Sequence, residues 1–229
     1  MHPSWGAALV DLRLHGDSRA GFAPPHTVHA AAEDVLALLP GLPGPVEALV
    51  GHSLGGKVVL AAQRASGQRF PRAVVLDASP SRRPDGLGSE QSRDVLALLG
   101  RLPGAYGTRA EFVAAIEAGG QPRAIALWLA MALEPAERRF QLSLDLPGLE
   151  SMFRSVLAED DWDVVTSVPA GHRVAFVVGG RSDVVDAQVR TRLAALTPAV
   201  TLEEIPGAGH WLQVDAPDAT FAAVERGIL

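Results

Sequence analysis

The chain contains no cysteine in 229 residues. That excludes disulfides, thiolate metal sites and a cysteine nucleophile, and leaves the redox compartment open. Lysine is nearly missing: Lys57 is the only one among 20 Lys and Arg residues. There is no basic excess either, and a formal net charge of −6 argues against nucleic acid or an anionic membrane surface as partner. No apolar run approaches the ~20 residues that span a bilayer. No charged-then-apolar leader and no Arg/Ser-rich transit peptide is visible from Met1 onward, so the expected setting is soluble and intracellular, cytoplasm or organelle matrix. Internal repeats and low-complexity tracts are lacking as well. What is present is apolar content: 48% hydrophobic is ample for a buried core. The length suits one large α/β domain, alone or with an inserted cap.

Strand and helix patterns alternate along the first third. Ala7–Leu12 (AALVDL) reads as a strand. Thr27 can N-cap a helix whose apolar positions Val28, Ala31, Val35, Leu36 and Leu39 recur at the helical period, until Pro40–Pro45 breaks it. Val46–Val50 is a short apolar run expected as a buried strand, Lys57–Arg64 a helix stopping near Gly67, and Ala73–Leu76 a further strand. Such alternation predicts βαβ units and a parallel sheet. The pattern then changes. Ser79–Gly88 is rich in Pro, Gly, Ser and Arg and reads as a linker. From Glu90 to Asp160 only helices are expected: Glu90–Leu99, one opened by a capping box at Thr108–Glu111, one begun by Pro122 and running to Leu133, and Leu149–Ala158. Strand and helix alternate again in Arg173–Val178, Val185–Leu196, Val200–Ile205 and Pro217–Ile228. The expected organisation is a core of residues 1–84 and 166–229, interrupted by a helical cap insertion at 85–165.

The segment that carries chemistry is Gly51-His52-Ser53-Leu54-Gly55, a G-x-S-x-G between a strand and a helix. In that context the motif forms a nucleophile elbow, a strained turn that holds the serine hydroxyl at the tip of the sheet. The helix N-terminus beneath it favours developing negative charge. Glycine is expected at both flanks, 51 and 55, because a Cβ there would crowd the neighbouring backbone. The same stretch also reads G-x-x-x-x-G-K from Gly51 to Lys57, most of a phosphate-binding loop, with Ala73–Asp77 resembling a strand whose Asp would hold magnesium. Val58 stands where that loop needs Ser or Thr for the metal, which argues against nucleotide binding. A third reading leaves Ser53 inert and the glycines as packing residues.

A serine nucleophile needs a base. His210, in Gly207-Ala208-Gly209-His210-Trp211 on the loop after the last strand, supplies one. An acid must then hold its tautomer. Two carboxylates compete. Asp77 ends the strand after the nucleophile helix, at the sheet edge where catalytic side chains gather in open α/β sheets. Asp183 lies in Gly179-Gly180-Arg181-Ser182-Asp183. Asp77 is favoured, with Ser182 as accessory hydrogen-bond partner, and Asp183 stays the alternative. The Leu54 N–H is the oxyanion donor expected at the elbow. His52, Trp128 and Trp211 are candidates to contact substrate, against core packing as the default for aromatics. His26 and His29, near a helix start, read as solvated, and no histidine spacing points to a metal.

Together, D-L-R-x-H-G-x-S from Asp11, V-G-H-S-L-G-G-K-V from Val50, V-L-D-A-S-P from Val75, G-G-R-S-D from Gly179 and A-G-H-W from Ala208 resemble the serine-dependent α/β-hydrolase superfamily. The narrower resemblance is to its branch of small carboxylesterases and thioesterase-like proteins with a short helical cap, of plant, algal or bacterial type. It covers nearly the whole chain. It implies an α/β-hydrolase fold with a mostly parallel sheet, Ser53 as nucleophile, His210 as base, and Asp77 as acid with Ser182 beside it. It further implies hydrolysis of a small-molecule acyl ester or thioester with no metal or organic cofactor. The Asp11 segment is then a structural turn organised by Asp11 and Arg13.

Members of that branch carry about 40 further residues ahead of the Asp11 segment, including the loop that gives a second oxyanion N–H. The expectation is therefore a shortened form, in which loss of one donor costs ~10²–10³ in rate. Right-handed crossovers put the helices after residues 27, 54 and 186 on one sheet face and leave the Pro217 helix for the other, so an apolar face is expected to stay partly bare. Two alternatives to ester hydrolysis remain. One is a non-catalytic hydrolase-fold protein that needs a partner or a missing segment; the other is cofactor-free lyase or perhydrolase chemistry on the same three residues.

Overall fold

The computed structural model describes residues 5–86, 90–196 and 198–229, less the side chain of Gln91. They fall into two compact units, one of residues 5–10, 25–86 and 152–229, the other of 11–24 and 90–151. Leu87 and Gly88, the end of the expected linker, lie outside the described residues.

The first unit is built on four parallel strands in chain order: β1 (Ala48–His52), β2 (Arg72–Leu76), β3 (Arg173–Gly179) and β4 (Val200–Ile205). Gly51 pairs with Val75, Leu76 with Val177, and Val177 with Glu203. After their first residue, β2 and β3 are apolar at nearly every position, as strands covered on both faces are. Strand alternation then sorts the side chains between two layers. Ala73, Val75, Val174, Phe176 and Val178 meet Val59 and Leu60 of one helix and Val189 and Leu193 of another. Val74, Leu76, Ala175 and Val177 point the other way, toward Ala223.

The helices of this unit include α1 (Val28–Leu38), α2 (Leu54–Ala65), α3 (Ala187–Ala194) and α4 (Pro217–Ile228). Thr27 caps α1 by accepting the Ala30 N–H at 3.2 Å, and α1 packs on α2. α3 begins two residues later than expected, because Asp186 caps it through the Val189 N–H at 2.9 Å while Val185 goes into the core. α4 lies over β2, β3 and β4. Gly227 lets it come close, since a Cβ there would stand 2.9 Å from Val74 Cγ2. On that face Val50 of β1 stays 44% exposed. Ala7–Leu12, expected as a strand, is not one. A strand is defined by its ladder, and no described strand runs beside this segment, whose Leu9 is 97% exposed.

The second unit contains the helices Glu90–Leu99, Arg109–Ala118 and Arg123–Leu129. It also contains a three-stranded antiparallel sheet in the order Ala105–Tyr106, Arg139–Leu142, Leu133–Ala136. The sequence reading expected helices alone here. These strands run two to four residues, too short to display a period. The hairpin turn passes through Glu137 at φ +49°, so the glycine or asparagine that signals a tight turn is missing. Thr108 accepts the Glu111 N–H at 3.1 Å, but the Glu111 carboxylate takes the Gly107 N–H at 2.9 Å instead of closing a capping box. In the 11–24 segment, Asp11 accepts the Asp17 N–H at 2.9 Å, and the Arg13 guanidinium lies 5.2 Å from the Phe22 ring centre.

Candidate active site

β1 ends at His52 and α2 starts at Leu54, so the whole turn is Ser53. Its φ of 54° and ψ of −115° lie where non-glycine residues are rarely found, at a cost of order 1–3 kcal/mol. Two backbone bonds hold it there. The Ser53 N–H reaches Leu76 O at 2.8 Å, extending the β1–β2 ladder, and the Lys57 N–H reaches Ser53 O at 3.2 Å, opening the helix. A Cβ on Gly51 would overlap the Gly55 carbonyl, as expected. Gly55, however, faces open space; the second crowded position is Gly56, whose Cβ would meet Ala78 Cβ at 2.8 Å and Val75 Cγ1 at 3.0 Å. The Leu54 N–H belongs to the first turn of α2, where no intrahelical acceptor exists. The Ser53 hydroxyl has no hydrogen-bond partner among the described residues.

Lys57 turns inward from the same helix. Its ammonium donates to Asp161 Oδ2 at 2.8 Å, Glu159 O at 2.8 Å and Ser81 O at 3.4 Å. An ammonium has three protons, so none is left to reach a phosphate. The phosphate-loop reading therefore fails here as well as at Val58.

The strand ends deliver polar residues to one edge. Asp77 follows β2 directly, at φ +44°, with its N–H on Val177 O at 2.8 Å. It is fully buried. Oδ1 accepts the Gly179 N–H at 3.0 Å, and Oδ2 accepts the Ser182 hydroxyl at 2.5 Å and faces His210 Nδ1 at 2.7 Å. A carboxylate only accepts, so Nδ1 carries the proton and Nε2 is left as the basic nitrogen. The His210 loop is seated by backbone contact: a Cβ on Gly179 would overlap the Gly209 carbonyl. The Gly209 N–H donates to Asp215 Oδ2 at 2.7 Å, and Gly207 turns the chain at φ +74°. Gly179 N–H and Asp215 were not found from the sequence. A backbone donor leaves no mark on side-chain identity, and Asp215 sits in no motif.

Asp183 is exposed, and among the described residues no hydrogen bond joins it to His210. The Trp211 ring centre lies 5.5 Å from that of His210 and 5.6 Å from that of His52. Trp128 lies on a helix of the second unit and is half-exposed. The His52 ring stands 4.8 Å from the His210 ring. Burial first, and the charge His210 can carry second, push the His52 pKa down from 6.5 to about 4. His26 is buried rather than solvated, while His29 is exposed and 3.1 Å from Glu159. Among the described residues no group of three or more His, Cys, Asp or Glu could hold a metal ion, and no helix is long and apolar enough to cross a membrane.

Known proteins resemble this chain over most of its length. It is 27% identical over 223 residues to "Esterase YbfF" of Escherichia coli (strain K12), covering 95% of this chain and 80% of that protein. It is 26% identical over 235 residues to "sn-1-specific diacylglycerol lipase ABHD11" of Mus musculus, covering 94% and 69%. The solved structure of a marine microorganism esterase superposes with a TM-score of 0.80 at 19% identity, covering 94% of this chain and 82% of that one, a likeness of fold. The family model described as "Alpha/beta hydrolase family" matches residues 4–224. With that match over nearly its full length, and with strands, elbow and His210 loop in the order found here, the chain belongs to the alpha/beta hydrolase family.

Proposed function

We propose that this chain hydrolyses carboxylic esters, thioesters included, through an acyl-enzyme on Ser53, with His210 as base and Asp77 as the acid that orients it. The observation that carries the reading is the 2.7 Å contact between a fully buried Asp77 and His210 Nδ1, at the sheet edge that also bears the elbow serine. The relatives named as an esterase and a lipase support the same class of substrate.

In this mechanism His210 Nε2 takes the Ser53 proton as Oγ attacks the carbonyl carbon. Asp77 keeps the Nδ1–H and stabilises the imidazolium without being protonated itself. The Gly179 N–H and the Ser182 hydroxyl hold the two Asp77 oxygens in place. The Leu54 N–H, at the positive end of α2, donates to the oxyanion. The imidazolium then protonates the leaving alkoxide or thiolate. His210 next draws a proton from water, which attacks the acyl carbonyl; as the bond to Oγ breaks, the imidazolium returns that proton to Ser53 Oγ and the carboxylic acid leaves.

An active-site-directed fluorophosphonate and a p-nitrophenyl acyl ester test this directly. The expected outcome is covalent labelling at Ser53 and ester turnover, both abolished in Ser53→Ala. Folded protein that takes no label, or Ser53→Ala that labels equally, overturns the proposal.

A further inference from the structure

His52 takes no part in the proton transfers above, yet it precedes the nucleophile and touches the residue that bears the base. Its Nε2 lies 2.8 Å from the His210 carbonyl oxygen, a contact across 158 positions of sequence. A carbonyl oxygen only accepts, so Nε2 is the donor and carries a hydrogen. The bond joins the last residue of β1 to the main chain of His210. Asp77 fastens the His210 ring and Asp215 fastens Gly209; His52 fastens the backbone of His210 itself. Its ring is also packed, 4.8 Å from the His210 ring at 37° and 5.6 Å from Trp211.

We propose that His52 is a positioning residue, resting on the Ser53 and His210 roles above: its Nε2–H ties the His210 carbonyl to strand β1, so that nucleophile and base are held in one frame. The placement works only if the His52 ring is neutral. His210 becomes an imidazolium during the reaction, and a second cation beside it would oppose that charge. His210 and Asp77 are the ionisable groups that act on His52, and burial together with His210 holds it uncharged above about pH 4. A neutral imidazole has one N–H, and here it is on the carbonyl.

The test uses the full chain with the fluorophosphonate and a p-nitrophenyl ester. His52→Phe keeps a flat ring and removes the donor; His52→Gln restores an N–H. A base displaced by a fraction of an ångström loses much of its effective concentration, so kcat is expected to fall ~10–100-fold in His52→Phe with KM within about twofold, and to recover to within about fivefold in His52→Gln. A second readout needs no substitution: ¹H–¹⁵N NMR of the imidazoles should show His52 as the neutral Nε2–H form from pH 5 to 8. A Nδ1–H form, an unimpaired His52→Phe, or a His52→Gln as impaired as His52→Phe overturns the positioning role. Absence of Ser53 labelling in the unsubstituted protein overturns the parent reading and this one with it. Normal labelling beside an unimpaired His52→Phe overturns the positioning role alone.

Discussion

Asp77 and Asp161 are both completely buried in the first unit, and they face opposite kinds of partner. Asp161 meets two basic side chains, Lys57 at 2.8 Å and Arg64 at 3.2 Å. Burial pushes the Asp161 carboxyl above its ordinary value, and the charges of Lys57 and Arg64 offset only part of that. Arg64 also holds Glu159 at 2.9 Å and Asp163 at 2.6 Å, so residues 159–163 are clamped to α2. Asp77 instead meets an imidazole, a hydroxyl and a backbone amide. Of these partners the imidazole has a second ring nitrogen, Nε2, able to accept a proton. A buried carboxylate between two basic side chains is a clamp. A buried carboxylate against an imidazole can orient that ring for proton transfer.

The largest test of that contrast is to neutralise Asp77. Asp77→Asn is expected to lower kcat by ~10³–10⁴, because the wrong His210 tautomer is then stabilised. Asp183→Asn, at an exposed carboxylate, is expected to stay within about twofold. A steady-state assay on both variants decides, and the reverse pattern would move the acid role to Asp183. At the other carboxylate, Lys57→Met deprives buried Asp161 of its closest cation. Urea unfolding should show a loss of about 3–5 kcal/mol, with kcat per folded molecule unchanged; a large kcat loss in folded protein would end the distinction between clamp and catalytic pair.

A smaller effect concerns pH and His52. The unfolded chain takes up this proton below about pH 6.5, whereas the folded chain refuses it until about 4. Stability from this residue is therefore complete above pH 6.5, declines as pH falls through the 6.5–4 window, and levels off below it. The total is about 3 kcal/mol. Urea unfolding at several pH values should show that limb, and His52→Gln should flatten it; an unchanged limb in the variant would show that other groups cause it.

Much of the first unit was legible in the sequence. Val200–Ile205 and Pro217–Ile228 form as read, residue for residue, because periodicity within them is strong and proline or glycine marks their surroundings. Ser53 was legible because a strand, a glycine-bounded turn and a helix are all local. The 133–142 hairpin was not, since its turn uses Glu137 at positive φ. Ala7–Leu12 has strand-forming residues but no neighbouring ladder among the described residues, and β propensity counts only once a partner is in place. At the elbow, the sequence alone could not separate Gly55, which faces space, from Gly56, which touches Val75 and Ala78.

The same division runs through the polar residues. Sequence by itself determined a parallel α/β core, a serine at a strand-to-helix turn and a histidine on a glycine-rich loop after the last strand, since each is written in neighbouring residues. Only the tertiary structure decided that Asp77 rather than Asp183 lies beside His210, that Lys57 turns inward, and that His52 reaches the His210 carbonyl. Those outcomes join residues 133, 104 and 158 positions apart. Hydrogen bonding falls off within a fraction of an ångström, and at such separations strand register and loop packing, not local pattern, set the distance.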